Sequence, residues 1–419
     1  MTEVGGTPGV GAFASPIARS SVARVGIATA VTAVCGYAVV YLAARDLAPA
    51  GFSVFAVFWG AFGLVTGAAN GLLQETTREI RSAGYAGMLP GRRTHPLRVA
   101  GMVGIGAAAV IAGSSPLWGS RVFVQAHWLS VGLLSVGLAG FCLHATLLGM
   151  LAGTNRWTQY GALMVTDAVI RVAVATATVL VGCGLVGFLW ATVAGALAWL
   201  MMIGASPATR AAARLLTPGG TATFLRGAAH SITAAGASAI LVMGFPVLLK
   251  LTSSELGAEG GVVILAVTLT RAPLLVPLTA MQGNLIAHFV DERTARLRAL
   301  IAPAALVGAI GAAGVLAAVL LGPWLLRVGF GPEYHAAGAL LAWLTAAAVT
   351  IAMLTLTGAA TVAAALHRSY ALGWVCATVA ATLLLLLPVP LETRTEVALL
   401  CGPLVGIGVH LAALARPGR

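Results

Sequence analysis

The sequence predicts an all-α polytopic membrane protein with about twelve transmembrane helices, in two parallel six-helix halves around a central cavity. Two features of composition predict the membrane class: 59% of the 419 residues are hydrophobic and only 9% are charged. A soluble domain carries about 25% charged residues, so a chain this poor in charge could not cover a water-exposed surface. The third observation is a series of apolar runs, each long enough to cross the roughly 30 Å of hydrocarbon in a bilayer.

Twelve apolar runs mark the predicted spans, since a span needs about 20 residues. They cover residues 23–44, 51–73, 97–115, 128–152, 160–182, 185–205, 229–250, 261–283, 299–322, 336–360, 370–389 and 396–415. The first run follows Arg19 and Arg24, as the apolar part of a signal peptide would. It is longer than the roughly 7–15 residues of a cleaved signal segment, so we assign it as the first span.

The basic residues fall mainly in alternate loops, and this pattern predicts the orientation. With the N-terminus in the cytoplasm, inside segments hold 17 of the 24 basic side chains, outside loops hold 5, and 2 lie within spans. We therefore expect a bacterial cytoplasmic-membrane protein with both termini in the cytoplasm. The net charge of +12 would suggest nucleic acid in a soluble protein, but arginines between apolar runs favour membrane orientation, and we expect no nucleic-acid partner.

Features of the first half of the chain recur 207–212 residues later. The repeated pairs are Pro116-Leu117-Trp118 with Pro323-Trp324, Gln74 with Gln282, and Asn155-Arg156 with His367-Arg368. The predicted division is a cytoplasmic tail (1–22), an N-terminal six-helix bundle (23–205), a cytoplasmic linker (206–228) and a C-terminal six-helix bundle (229–419). Parallel repeats of this kind bind substrate between them, near the midplane of the membrane.

Three ionisable residues lie deep within predicted spans, where a charge is costly and indicates function. Arg171 and Arg271 lie near the centres of spans five and eight, and Asp167 shares a helix face with Arg171. One interpretation is that Asp167 and Arg171 form a closed ion pair that only aids packing, and that Arg271 bonds to a backbone carbonyl. The other is a cavity faced by both guanidinium groups. Guanidinium groups offer planar paired donors, so such a cavity would bind an anionic substrate, with phosphate as the best fit.

Span two carries a ridge of small residues, Gly63, Gly67 and Gly71, which lets another helix approach closely. The ridge is consistent with ordinary packing or with a sliding gate helix. Polar residues at the predicted inner ends of spans two and eight are candidates for a gate or for access of a polar head group, with a solvated helix end as the alternative. These gate candidates are Asn70, Gln74, Arg78 and Gln282.

The sequence contains no catalytic or metal-binding pattern. Its five cysteines are scattered singly, and His144 and His410 are lone histidines for which burial in the core is the simpler interpretation than a proton relay. No metalloprotease, serine-hydrolase or phosphate-loop motif occurs. We therefore expect a protein that is not an enzyme and has no cofactor and no metal.

Two stretches resemble the polysaccharide flippases of the multidrug/oligosaccharidyl-lipid/polysaccharide (MOP) exporter superfamily. Residues 42–56, with Arg45-Asp46, Pro49, Gly51-Phe52 and Phe55-Ala56, resemble the first outer loop of those proteins. Residues 323–337, with Gly329-Phe330-Gly331, Tyr334 and Ala336-Ala337, resemble the signature that follows their ninth span.

The resemblance implies a V of two six-helix bundles that flips a polyprenyl-diphosphate-linked oligosaccharide, a cell-envelope precursor, from the inner to the outer leaflet by alternating access. Arg171 and Arg271, with Asp167, would then bind the diphosphate. It also implies membrane lipids, and glycosyltransferases or a polymerase of the same pathway, as partners. The chain lacks the fourteen spans usual in lipid II flippases, which favours another cell-envelope glycan.

Four other functions compete with flipping. A small-molecule or drug exporter of the same superfamily would have a more apolar or acidic cavity. A major-facilitator transporter usually has an Asp-Arg-containing loop between spans two and three, and Gln74–Arg81 does not match it. A membrane glycosyltransferase needs an acidic residue in a sizeable first outer loop, where only Asp46 is available. A scaffold protein would not require two central arginines.

Overall fold

The computed structural model is almost entirely helical and describes residues 19–85, 93–291 and 296–416, so the predicted tail up to residue 18 lies outside it. The helices are α1 (Arg19–Tyr85), α2 (Pro96–Val122), α3 (His127–Gly153), α4 (Trp157–Val181), α5 (Gly184–Ala194), α6 (Ala198–Ala205), α7 (Pro207–Ala213), α8 (Thr221–Val242), α9 (Phe245–Leu251), α10 (Gly257–Ala280), α11 (Gln282–Asp291), α12 (Arg296–Ala299), α13 (Ile301–Phe330), α14 (Gly338–Ala363), α15 (His367–Leu385) and α16 (Leu391–Leu414). A short 3-10 helix (Gly195–Leu197) joins α5 to α6.

Helix α1 contains two transmembrane passes. Its 67 residues would form a straight helix about 100 Å long, three times the hydrocarbon thickness. The helix breaks at Ala48, where φ is 53° and ψ is 171°, because Pro49 disfavours helical geometry in the residue before it. Residues 19–47 are here called the first arm and residues 49–85 the second arm. Both arms line one cavity, so the chain turns back on itself at Ala48.

The number of passes agrees with the sequence. Within the described residues, ten helices are long and apolar enough to cross a membrane, with α1 counted once. The pair α8 and α9, bent by 67° at Gly244, adds an eleventh pass, and the second arm of α1 adds a twelfth. Pro246 explains the bend, because its ring and missing N–H prevent α8 from continuing. The all-α polytopic class is confirmed.

The backbone repeats with the offset that the sequence suggested. Left-handed residues stand at Ala48 and Gly257, 209 positions apart, and at Asn155 and Ala365, 210 apart. The helices that precede Asn155 and Ala365 end with the same hydrogen bonds. If the left-handed residue is numbered n, its amide N–H bonds to the carbonyl of residue n−3, and the amide N–H of residue n+1 bonds to the carbonyl of residue n−4. The two helices concerned, α3 and α14, are both largely buried, with 67% and 56% of their most apolar stretch enclosed. Each half therefore has a corresponding central helix.

The predicted linker is an ordered part of the fold. It holds the short helix α7, and its residues Thr217–Pro218 (β2) pair antiparallel with Arg93–Thr94 (β1). Helix α8 already begins at Thr221, inside the predicted linker. The linker therefore ties the start of span seven to the loop before span three.

Two membrane faces can be distinguished by the course of the chain. The N-terminal face is the one at which α1 begins and its second arm ends. The opposite face holds the turn at Ala48 and the segment between α13 and α14. Helix α10 runs from Gly257 to Ala280 as one helix, with Pro273 and Pro277 exposed on its surface.

The glycine ridge of span two is a close contact between the two halves, and its partner is α8. A Cβ on Gly67 would lie 2.7 Å from the Cβ of Ala239, and one on Gly71 would overlap the backbone of Ile232. Because the contacts run in opposite directions along the two helices, the second arm and α8 are antiparallel. Only a residue without a side chain allows this approach at Gly71.

Candidate functional site

A cavity of about 550 Å³ lies between the two halves. Its walls come from both arms of α1 and from α8, α9, α10, α14 and α15. The polar and aromatic side chains in the walls are Tyr37, Trp59, Asn70, Gln74, Ser238, Phe245, Thr268, Arg271, Thr279, Thr355, Tyr370 and Trp374. This position matches the central cavity expected from two parallel repeats.

The cavity opens toward the N-terminal face. Gln74 and Thr279 are exposed at that end, whereas Phe245 and Ile264 are buried at the other. A polar group arriving from the N-terminal face would therefore meet amide and hydroxyl side chains first.

Contacts between the halves close the opposite face. The Tyr334 hydroxyl donates a hydrogen bond of 2.9 Å to the carbonyl of Ala44, and its ring packs edge-on against Phe52 with centroids 6.3 Å apart. The carbonyl of Pro49 lies where a Cβ of Gly261 would stand. Burial, and to a smaller extent the neighbouring Glu333, raises the pKa of Tyr334 above its ordinary value, so the hydroxyl keeps the proton that it donates.

Arg271 is the charged side chain in the cavity wall. It is only 8% exposed, its Nη1 donates to the carbonyl of Val242 at 3.2 Å, and its guanidinium lies 5.3 Å from the centre of the Phe245 ring. Its Nη2 is buried and has no hydrogen-bond partner among the described residues, where no carboxylate pairs with it either. Tyr37 of the first arm lines the same cavity. The site thus presents an uncompensated positive charge to the cavity.

Arg171 and Asp167 form a closed pair away from the cavity walls. Two hydrogen bonds of 3.0 Å join the guanidinium to the carboxylate, and the side chains are 12% and 14% exposed. Arg171 also donates to the carbonyl of Thr192 and lies 5.2 Å from the centre of the Phe62 ring. Arg171 and Arg271 do not line one cavity, because Asp167, Thr192 and Phe62 hold Arg171 among α4, α5 and the second arm, outside the cavity walls.

The gate candidates divide in the same way. Asn70 and Gln74 are in the cavity wall. Arg78 is outside it, with its side chain 65% exposed and paired with Glu75 at 2.6 Å and Glu79 at 2.8 Å. The backbone of Gln282 begins α11, just past the end of span eight, and its side chain lies outside the described part of the chain.

Several wall residues escaped the sequence analysis, notably Tyr37, Trp59, Ser238, Tyr370 and Trp374. Each is a single aromatic or hydroxyl residue within an apolar span, and no spacing distinguishes it from a packing residue. The role of Glu75 in packing was also not identified by the sequence analysis. It is 2% exposed and fills the space beside Gly227 of α8, so it marks the contact of the halves at the N-terminal face.

The sequence matches no family model. It is 78% identical over 421 residues to the uncharacterized protein Rv3630 of Mycobacterium tuberculosis strain H37Rv, covering 99% of this chain and 98% of that one. It is 74% identical over 416 residues to the uncharacterized protein Rv1510 of the same strain, covering 99% and 96%.

Solved structures share the fold at low sequence identity. An inward-facing multidrug resistance MATE family transporter of the MOP superfamily has a TM-score of 0.70 at 14% identity, covering 93% of this chain and 98% of that one. An outward-facing one has a TM-score of 0.61 at 15% identity, covering 95% and 96%. A MOP superfamily transporter from Pyrococcus furiosus, described with reversed polarity of its binding pocket, has a TM-score of 0.61 at 14% identity, covering 94% and 95%.

Proposed function

Because the chain belongs to the family of the mycobacterial proteins Rv3630 and Rv1510 and has the fold of MOP transporters, we propose that it transports a polyprenyl-diphosphate-linked saccharide across the membrane by alternating access. The observation that carries the proposal is Arg271, buried in the cavity with a free Nη2 and no carboxylate partner among the described residues. A buried charge without a partner is strongly unfavourable unless a ligand supplies the opposite charge. The substrate is therefore an anion.

Phosphate is the anion that this site fits. A guanidinium presents planar N–H donors that pair with two oxygens of one phosphate, and the Val242 carbonyl occupies only one side of Arg271. Trp59 offers an apolar face with a polar edge, which suits the face of a sugar ring. A volume of about 550 Å³ is typical of a ligand site, so it holds the diphosphate and the nearest sugars, not a long glycan.

Orientation and setting complete the proposal. With the N-terminal face in the cytoplasm, the cavity opens toward the side where the basic loops lie. The head group enters past Gln74 and Asn70, the prenyl tail stays in lipid, and Arg271 binds the diphosphate. We place the protein in the bacterial cytoplasmic membrane, with glycosyltransferases or a polymerase of a cell-envelope pathway as its functional partners.

Two sets of contacts make up the alternating gates. Opening the opposite face requires the Tyr334–Ala44 hydrogen bond and the Pro49–Gly261 contact to break. Closing the N-terminal face requires the two halves to move together over Gln74, and the glycine ridge provides the surface on which the second arm and α8 slide. The Asp167–Arg171 pair has a positioning role in this scheme, since it fixes α4 and α5 to the second arm. Direct substrate contact by that pair stays a prediction.

A small-molecule exporter is the second candidate. The cavity volume and its largely apolar walls also suit a drug-sized molecule, and MATE family transporters share the fold. The cavity has no acidic side chain among its described lining residues, so an exported small molecule would be an anion or neutral rather than a cation. Transport assays with a lipid-linked saccharide and with a soluble anionic dye distinguish the two candidates.

The test is a protection assay in proteoliposomes that contain a fluorescent polyprenyl-diphosphate saccharide. We expect protein-dependent translocation, reduced about 10- to 100-fold by Arg271→Ala, because one charge-assisted pair contributes roughly 1.5–3 kcal/mol. Arg327→Ala is the matched control, because Arg327 is exposed at the opposite face and its hydrogen bond within the described part of the chain is to the Pro323 carbonyl of its own helix. Absence of translocation, together with uptake of a soluble anionic dye, would favour the exporter.

A further inference from the structure

We propose that His410 is the binding site for a coupling proton, in a polar pocket of the C-terminal half formed by Thr357, Tyr370 and Gly373. This inference goes beyond the substrate site and rests on the alternating-access function proposed above. Three helices enclose the imidazole, which is fully buried: α16 carries it, α14 brings Thr357 and α15 brings Tyr370.

The hydrogen bonds assign one hydrogen of the imidazole. Nε2 of His410 lies 3.2 Å from the carbonyl oxygen of Tyr370. A carbonyl oxygen only accepts, so Nε2 must carry a hydrogen in every protonation state. The state of the ring is therefore decided at Nδ1.

The partner of Nδ1 can serve both protonation states. Nδ1 lies 3.0 Å from the Thr357 hydroxyl, and that hydroxyl also lies 3.1 Å from the carbonyl of Leu354. In the neutral ring, Thr357 donates to Nδ1. When a proton binds, Nδ1–H donates to the Thr357 oxygen, and the hydroxyl hydrogen turns to the Leu354 carbonyl. Each state is fully hydrogen-bonded, so the extra proton leaves no orphaned donor.

The pocket is also shaped around the ring. A Cβ on Gly373 would overlap Nε2 of His410, so the absence of a side chain there makes room for the imidazole. The other buried histidine is different: His144 stacks on Phe141 with centroids 5.3 Å apart, and its Nδ1 has no hydrogen-bond partner among the described residues. Of these two histidines, His410 has a hydroxyl oxygen, that of Thr357, placed to accept a hydrogen bond from a second ring N–H.

Tyr370 connects this pocket to the cavity. Its ring stacks parallel to the imidazole, with an interplanar angle of 2° and centroids 6.2 Å apart, and it lines the cavity. Its hydroxyl lies beside Ser238 of α8 and Trp374. A movement of the His410 ring is therefore transmitted through Tyr370 to the cavity and to α8, the helix that contacts the N-terminal half.

Protonation acts on conformation because the charge has nowhere to be neutralised. Tyr370 is the titratable group that contacts the imidazole; α14 presents only Thr357 and Leu354. The helices α10 and α12 also touch α16, and their Arg271, Arg296 and Arg298 make no hydrogen bond to His410. No described carboxylate pairs with His410. A charged imidazole therefore disfavours the conformation described here, in which the ring is fully buried, and shifts the population toward the alternative state of the transport cycle, open at the opposite face.

The test measures conformation directly and needs no substrate. Spin labels are attached at Asp46→Cys and Glu333→Cys, exposed positions on the two sides of the Tyr334–Ala44 contact, after the five native cysteines are replaced by serine. His335, exposed beside this contact, is replaced by glutamine throughout. Distances are measured by double electron–electron resonance in nanodiscs.

We expect the longer distance to gain population as the pH falls from about 7.5 to about 5.5, by up to roughly tenfold per pH unit for one linked proton. His410→Gln should abolish the dependence, and His144→Gln should keep it. Thr357→Val should move it toward lower pH, because the bound proton loses its acceptor, whereas Thr357→Ser should behave as wild type. The threonine pair keeps the test decisive if His410→Gln fails to fold.

A pH-dependent distance that survives in His410→Gln, or a wild type without pH dependence, would overturn the proton site. A pH-dependent wild type that translocates no lipid-linked saccharide would overturn the substrate proposal and leave the proton site intact. In translocating vesicles, an inward-directed pH gradient should accelerate wild type but not His410→Gln.

Discussion

The Tyr334 hydroxyl hydrogen-bonds to the Ala44 carbonyl at 2.9 Å, and this bond joins two halves of the molecule whose residues lie 290 positions apart in the chain. Tyr334 is 1% exposed and stands in the segment between α13 and α14, while Ala44 precedes the turn of α1. The bond joins the halves at the face opposite the cavity mouth, so under alternating access we expect it to break when the cavity opens on that side.

Tyr334→Phe should favour opening of the opposite face. The substitution removes one hydrogen bond, which contributes about 0.5–1.5 kcal/mol, so the open population should rise about two- to tenfold. The measurement is the labelling rate of Ile264→Cys, deep in the cavity, by an impermeant maleimide applied from that side. Tyr41→Phe is the matched control, since Tyr41 is exposed nearby. Equal labelling in both variants would mean that the bond is not part of the gate.

Gly71→Ala should destabilise the protein. A Cβ at this position overlaps the backbone of Ile232, and overpacking of this kind costs about 1–3 kcal/mol. The control is Gly106→Ala in α2, where a Cβ would meet nothing within 4 Å and the change should be neutral or stabilising. In thermal unfolding in detergent, the melting temperature of Gly71→Ala should therefore lie below that of wild type, and that of Gly106→Ala should be equal to it or higher. A Gly71→Ala protein as stable as wild type would show that the two halves separate easily along this ridge.

Removing one member of the Asp167–Arg171 pair should destabilise the protein more than removing both. A single Asp167→Asn or Arg171→Met substitution leaves a buried group without its counter-charge, which costs about 3–5 kcal/mol for a buried pair. The double variant should recover much of this loss. If stability is unchanged in the single variants while translocation is lost, the pair contacts substrate, as the sequence first suggested.

Ala48→Gly should stabilise the turn between the arms of α1. Ala48 has φ of 53°, which glycine adopts without steric cost, and the corresponding residue of the second half is already Gly257 with the same φ. We expect a gain of up to about 1 kcal/mol in unfolding free energy, and a loss for Gly257→Ala. Chemical denaturation in mixed micelles measures both. A loss of stability in Ala48→Gly would mean that the break depends on Pro49 alone.

Much of the architecture follows from the sequence, because the bilayer imposes it. Apolar runs of about 20 residues must cross as helices with their own backbone groups satisfied, so the number and order of the spans could be predicted, although several helices extend beyond the predicted bounds. The glycine ridge at Gly63, Gly67 and Gly71 likewise predicted a close helix contact. The sequence did not identify α8 as the partner, because small residues permit close approach by any helix.

The site depended on facts that only the tertiary structure decided. Arg171 and Arg271 look alike in the sequence, each a single arginine near the centre of a span. Which way an arginine faces is set by the rotation of its helix against its neighbours. Asp167 and the Thr192 carbonyl enclose Arg171, whereas Arg271 bonds to the Val242 carbonyl and its Nη2 has no hydrogen-bond partner among the described residues. The sequence by itself determined the membrane class, the passes and the available charges, whereas packing between distant spans decided which of the two arginines lines the cavity.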